Sequence, residues 1–298
     1  MAPNYAAVQW TYGNFLIRAG NVADGFALIQ KAAASNPSYS RPAVTTALQI
    51  FDGDVADVRK ALGDTDGINS SLAAMLAAQK RFDDASEVWS RLSSDGKQQT
   101  FKQFGTSLIN QMTAAGKFQP AVRIAADLQA NEADRPVVGQ VLNGGFENGV
   151  KLRSSPLFDW QIAEGTHPQI GLAEGQSHGG RYSLFMLFDT FQSAAFRGVS
   201  QTVAVVPGAE YELELFYKSD LKTPASLKWE IADAAATQTI GATPNIAPAG
   251  DWTSLRTTFT VPQGIEGIII RLAREGCAGP SCPMSGKLSF DDFSLRRL

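Results

Sequence analysis

The sequence predicts two domains of different class, an α-solenoid of helix hairpins over residues 1–135 and an antiparallel β-sandwich over residues 136–298. Three observations predict this. The chain has 298 residues, where one domain usually holds about 100–200. The first part is rich in Ala and repeats its apolar residues at helical spacing. The second alternates apolar and polar residues with period two and holds most of the prolines and both cysteines. At 44% hydrophobic and 18% charged, the chain can bury real cores, which excludes intrinsic disorder. Its 26 Lys plus Arg stand against 29 Asp plus Glu, a net charge of −3. That balance excludes the basic face a nucleic-acid binder needs. No apolar run approaches the ~18 residues of a membrane span.

The first hairpin spans residues 5–37. Tyr12, Phe15, Leu16 and Ala19 make one helical stripe, and Gly20-Asn21 breaks the helix. Val22, Phe26, Ile29 and Ala32 make a second stripe, stopped by Asn36-Pro37. Gly13, Gly25 and Ala32 are small enough to let the two helices approach closely. The pattern returns at 72–92 (Leu72, Leu76, Phe82, Ala85, Trp89) and at 108–128 (Leu108, Gly116, Phe118, Ala121, Leu128). The breaks at Gly20, Lys80 and Gly116 lie 60 and 36 residues apart, and a degenerate unit at 43–62 fills the wider gap. Pro136 stops any helix ahead of it, which places the joint near 132–142.

These residues resemble the tetratricopeptide repeat family, whose period is ~34 residues. Gly13, Leu16, Gly20, Ala32 and Pro37 sit at the family spacing, with Gly25 where the family prefers Ala. The resemblance covers residues 5–130. It implies a solenoid groove that holds a protein or peptide partner. The alternative is a purely structural stack.

The second part reads strand by strand. In 210–217, Tyr211, Leu213, Leu215 and Tyr217 oppose Glu212, Glu214 and Phe216. In 227–233, Leu227, Trp229 and Ile231 oppose Lys228 and Glu230. In 267–275, Ile268, Ile270 and Leu272 oppose Ile269 and Arg271. Further strands are expected at 182–188, 198–206, 254–261 and 287–296, with turns at Pro207-Gly208, Pro244, Gly250-Asp251, Pro262 and Gly286. Trp160, Tyr182, Trp229 and Trp252 are expected in the core.

The order of landmarks is NGGFENG (143–149), Phe158-Asp159-Trp160, HGGRYSL (178–184), VVPGAEYELELFYKSD, GDWTSLRTTFTVP (250–262) and LSFDDFSL (288–295). This string is similar to the jelly-roll carbohydrate-binding modules of the galactose-binding-domain-like type. The resemblance covers 141–298. It implies that the first and last strands lie side by side and hold a structural Ca²⁺, with carboxylates from Glu147 and Asp292 and carbonyls from Gly145 and Arg181. The other reading of those residues is a hydrogen-bonded acidic pair near Arg181.

Sugar binding needs flat aromatic faces beside hydrogen-bonding side chains. The outward set Glu212, Glu214, Phe216, Lys228, Glu230 and Arg271 is expected to offer such a face to a polysaccharide, with Phe191 and Phe196 at its rim. A solvated charged face is the competing reading. Cys277 and Cys282 are expected to close a small disulfide loop, with a free thiol pair as the alternative, and too few Cys and His are present for zinc. A disulfide implies an oxidising compartment, periplasmic or extracellular. MAPNYAAV is not a signal segment, so the chain is expected to be part of a longer exported protein. No GxSxG, HExxH, P-loop or GxGxxG in context is present, and only His167 and His178 are available as imidazoles. The expected function is therefore non-catalytic binding at the cell envelope or exterior, a protein on the repeats and a glycan on the sandwich. The alternative is an assembly scaffold whose sandwich binds no sugar.

Overall fold

The helical periods of the first part close into antiparallel pairs. The structure, a computed structural model, describes residues 5–190, 196–276 and 283–298. The chain divides into two compact units, Met1–Ala115 and Gly116–Leu298.

In the first unit, α1 (Ala6–Arg18) pairs with α2 (Val22–Ser35), α3 (Ser40–Ile50) with α4 (Val55–Leu62), and α5 (Asp66–Ala78) with α6 (Phe82–Ser90). The last helix of this unit is α7 (Lys102–Ala114). The pairs turn through left-handed residues: Gly20 (φ 86°) in the first, Asp52 and Gly53 (φ 48° and 78°) in the second, and Lys80 (φ 61°) in the third. The degenerate stretch at 43–62 is thus a full hairpin. Gly13 and Gly25 face each other where α1 and α2 pack tightly. A Cβ on either would stand 2.8 Å from the other's carbonyl oxygen. Asp54 and Thr65 start α4 and α5 by accepting the N–H groups of Asp57 and Ile68. Phe26, Ile29, Leu72, Leu76 and Trp89 are buried in the core.

The second unit opens with α8 (Phe118–Asp127) and continues into a sandwich. Its strands are β1 (Gln161–Ile162), β2 (Gln169–Glu174), β3 (Tyr182–Thr190), β4 (Val199–Ala204), β5 (Glu210–Ser219), β6 (Ser226–Asp233), β7 (Thr239–Ala242), β8 (Ala249–Thr260), β9 (Gly267–Glu275) and β10 (Met284–Arg297). One sheet runs β1-β4-β9-β6-β7 and the other β2-β3-β10-β5-β8. We call these sheets I and II. Their paired strands are all antiparallel. The fold class is the one the two periods predict.

The inward residues of both sheets meet in one core. Trp160, Trp229, Phe290 and Phe293 cluster there, with edge-to-face pairs whose ring centroids are 4.8–6.0 Å apart. Helix α8 attaches beside sheet I. Phe118 lies over Gly267, where no Cβ intervenes. Lys117 pairs with Glu266 at 2.8 Å, and the Gln119 amide donates to the Val205 carbonyl.

Candidate functional site

Because Leu213, Leu215 and Tyr217 point into the core, Glu212, Glu214, Phe216 and Lys218 point outward from β5. Register then brings Ser254 and Arg256 of β8 beside Phe216 and Glu214, and Asp291 of β10 beside Phe216 on the other side. On β3, Leu184, Met186 and Phe188 enter the core, while Phe185 and Leu187 remain half-buried on the outer side. The outer face of sheet II is therefore a mixed surface of rings and hydrogen-bonding groups. Glu214 accepts from Ser254 Oγ at 2.9 Å and from Arg256 Nε at 2.7 Å. Lys218 holds its ammonium 5.5 Å from the Trp252 ring centre.

The loop 175–181 folds onto this face and is fastened by three acids. In a regular strand Asp291 and Asp292 would point to opposite sides. A bulge between Asp291 and Ser294, with Asp292 at φ 48°, turns both toward the loop. Asp291 is fully buried and accepts the N–H groups of His178 (2.7 Å), Gly179 (3.2 Å) and Asp292 (2.8 Å). Burial pushes its carboxyl upward from the ordinary aspartate value, against the pull of those three donors. Asp292 Oδ2 lies 2.7 Å from His178 Nδ1. Glu147 Oε1 accepts from the N–H groups of Arg181 (2.8 Å) and Tyr182 (2.9 Å). Gly144 brings the entering chain against β10, its carbonyl accepting from Phe293 N–H at 3.0 Å. A side chain at Gly144 would run into the Phe293 carbonyl.

The result is a clasp that lays the His178 ring flat on Phe216. The centroids are 3.7 Å apart and the planes 10° from parallel. Trp252 stands at 67° to the imidazole, 6.0 Å away. The expected core position of Trp252 is corrected: it lies half-buried on the outer face, because it shares parity with Ser254 and Arg256 and not with Leu255 and Phe259. Trp160 and Trp229 do lie in the core.

The other expected residues do not form one surface. Glu212, Glu214 and Phe216 belong to sheet II, whereas Lys228 and Glu230 on β6 and Arg271 on β9 belong to sheet I. Outward faces of two packed sheets point apart, so the six cannot share one ligand. On sheet I the charges satisfy one another. Lys228 pairs with Glu275 at 2.7 Å and Arg271 with Glu230 at 3.0 Å. Glu212 pairs with Arg296 at 2.7 Å. Phe196 packs against the core beside Phe188, with the Arg274 guanidinium 5.1 Å from its ring centre. Phe191, Cys277 and Cys282 lie outside the described residues.

Glu147 and Asp292 do come to one place, beside glycines that leave room for their oxygens. A Cβ at Gly179 would stand 2.6 Å from Asp292 Oδ2, and one at Gly145 3.3 Å from Asp292 Oδ1. Arg181 turns its guanidinium away to Glu174. Hard carboxylate oxygens in a glycine-lined notch suit Ca²⁺, which takes six to eight oxygens. Among the described residues no three His, Cys, Asp or Glu side chains form a metal-holding group, so main-chain carbonyls or water would supply the remainder.

A cleft of about 480 Å³ opens between residues 138–141 and 293–297, over the buried Tyr211 ring. Its lining contains neither a carboxylate nor an imidazole.

Comparison with known proteins places residues 138–276 in a match to a family model described as a carbohydrate binding domain. This agrees with the expected module type in the second part, and no comparison assigns the helices to the tetratricopeptide family. No curated protein matches the chain. Among solved structures, it is similar to TmCBM61 in complex with β-1,4-galactotriose, at 17% identity over 52% of this chain and 96% of that one, with a TM-score of 0.37. It is also similar to the CBM22-1 xylan-binding domain from Paenibacillus barcinonensis Xyn10C, at 18% identity over 46% of this chain and 85% of that one, with a TM-score of 0.32.

Proposed function

We propose that the chain is a non-catalytic binding protein of the cell envelope or exterior that takes a glycan on the outer face of sheet II. One observation carries the reading: the half-buried rings of Phe185 and Trp252 and the His178–Phe216 stack share that face with Glu214, Ser254, Arg256 and Lys218. Flat apolar rings beside donors and acceptors match a pyranose, which has one C–H face and a rim of hydroxyls. The carbohydrate-binding-domain match over the same unit supports this. Export is part of the proposal because structural polysaccharides lie outside the cell. Ca²⁺ at Glu147 and Asp292, with carbonyls of Gly145 and Arg181, would tie the entering chain to β10 and the clasp, a structural task.

Electrophoresis of the full chain through gels loaded with different polysaccharides tests the proposal. Retardation by at least one is expected, and Trp252→Ala should weaken it about 2- to 10-fold, since a well-placed ring contributes ~0.5–1.5 kcal/mol beyond its area. A chain that migrates freely through a broad panel refutes the reading, and release of reducing sugar refutes its non-catalytic part.

The tetratricopeptide-like helical unit is proposed to engage a protein. Tyr5, Val8, Tyr12 and Phe15 are 69%, 42%, 54% and 61% exposed and recur at 3–4-residue spacing along one side of α1. End units of a solenoid normally carry a polar outer face, so this stripe favours an amphipathic helix as partner. The scaffold reading keeps this contact and drops the glycan.

A further inference from the structure

We infer that His178 is a glycan-contacting residue: its imidazole, and not the Phe216 ring beneath it, is the platform on which a pyranose rests. The inference depends on the glycan reading above and adds the contacting side chain. Phe216 is the aromatic that strand alternation puts on the outer face of β5. Its outer side is covered, because the His178 ring lies on it at 3.7 Å and 10°. A sugar could reach Phe216 only by lifting His178 away.

The clasp opposes that. His178 is held at its main chain by Asp291 (2.7 Å) and at Nδ1 by Asp292 (2.7 Å), and its neighbour Gly179 is held by Asp291 as well. Asp291 is fully buried with the loop in place, so freeing the loop would break two sheltered hydrogen bonds, those from the His178 and Gly179 N–H groups.

The imidazole still has surface to offer. Its side chain is 35% exposed. One ring face is taken by Phe216 and Nδ1 by Asp292. Among the described residues no other ring stacks on the opposite face, and Nε2 has no protein partner. Trp252, at 67° and 6.0 Å, stands beside it as a second wall. The two rings form a corner: the imidazole takes an apolar C–H face, Nε2 meets a hydroxyl, and the indole closes one side. Phe216 is then a positioning residue that acts through His178.

The test uses the full chain in gels containing whichever polysaccharide retards the wild type most. His178→Ala should weaken retardation about 2- to 10-fold. His178→Phe, which keeps a flat ring, should restore most of it. Phe216→Ala should match His178→Ala, and the double variant should be no worse than either alone, because both remove one platform. Thermal melts confirm that each variant is folded. Unchanged or stronger retardation by His178→Ala overturns the inference, since His178 would then merely cover Phe216. Additive losses in the double variant also overturn it. A wild type retarded by no polysaccharide overturns the glycan reading itself, a result distinct from a glycan-binding wild type that ignores the His178 change.

Discussion

Replacing Asp291 by Ala removes the acceptor that holds the clasp, and the structure sets the size of the effect. Three main-chain N–H groups, those of His178, Gly179 and Asp292, end on this carboxylate. A buried donor left without a partner costs about 1–3 kcal/mol. The Asp292 N–H is local to the bulge, and the loop can admit water once released, so about 1 kcal/mol for each donor is the appropriate end of that range. Against this stands relief of a buried charge. Burial raises the Asp291 carboxyl, so the donors do not fully compensate its desolvation. The net expectation is a loss of about 2–3 kcal/mol, which in a unit of this size lowers Tm by roughly 5–10 °C. Asp291→Asn should lose less, because the amide oxygen still accepts from the loop while the charge is gone. Urea unfolding followed by tryptophan emission measures the loss. Trp160 and Trp229 lie against Phe293 in the core, and Trp252 lies beside the loop. A midpoint unchanged in Asp291→Ala would refute the claim that this carboxylate fastens the loop.

Gly25→Ala puts a methyl group 2.8 Å from the Gly13 carbonyl oxygen and 2.6 Å from Ile17 Cγ1. The gain in helix propensity of ~1 kcal/mol is outweighed by helix separation, and overpacking of this kind costs about 1–3 kcal/mol; a helical unit more stable than the wild type in urea would contradict this. The Arg59 guanidinium holds the Asp64 carboxyl below its ordinary value, so the ion pair contributes above the unfolded aspartate range and is lost as pH falls through the lower folded value. Asp64 is half exposed, so the contribution is only about 0.5 kcal/mol, and Asp64→Asn should lose that amount at pH 7 and nothing near pH 2 by thermal melts. If Ca²⁺ occupies the Glu147–Asp292 notch, millimolar Ca²⁺ raises Tm over EDTA-treated protein and Glu147→Gln abolishes the difference; identical melts refute the ion.

Three helix pairs (α1–α2, α3–α4 and α5–α6), the sandwich and most of its strands are legible because burial acts on one side of each element and leaves a period. Three features escape a first reading, each for its own reason. A tryptophan near a turn reads as core, yet Leu255 and Phe259 place Trp252 on the opposite side of β8. The six outward residues between 212 and 271 read as one face because alternation says only in or out and never which sheet a strand joins. That depends on the order β1-β4-β9-β6-β7 against β2-β3-β10-β5-β8, which arises from pairings between distant residues. The bulge in β10 was visible in principle. The inward residues run Leu288 and Phe290, then Phe293 and Leu295, so the step lengthens from two to three at the acidic pair. Read that way, LSFDDFSL predicts that Asp291 and Asp292 no longer alternate and can face one loop. Their joint hold on His178 is the geometry that converts an acidic motif near a strand end into a platform on the sheet, and a variant that restores strict alternation by deleting Asp292 should release the His178 ring from Phe216 even if the sandwich still folds.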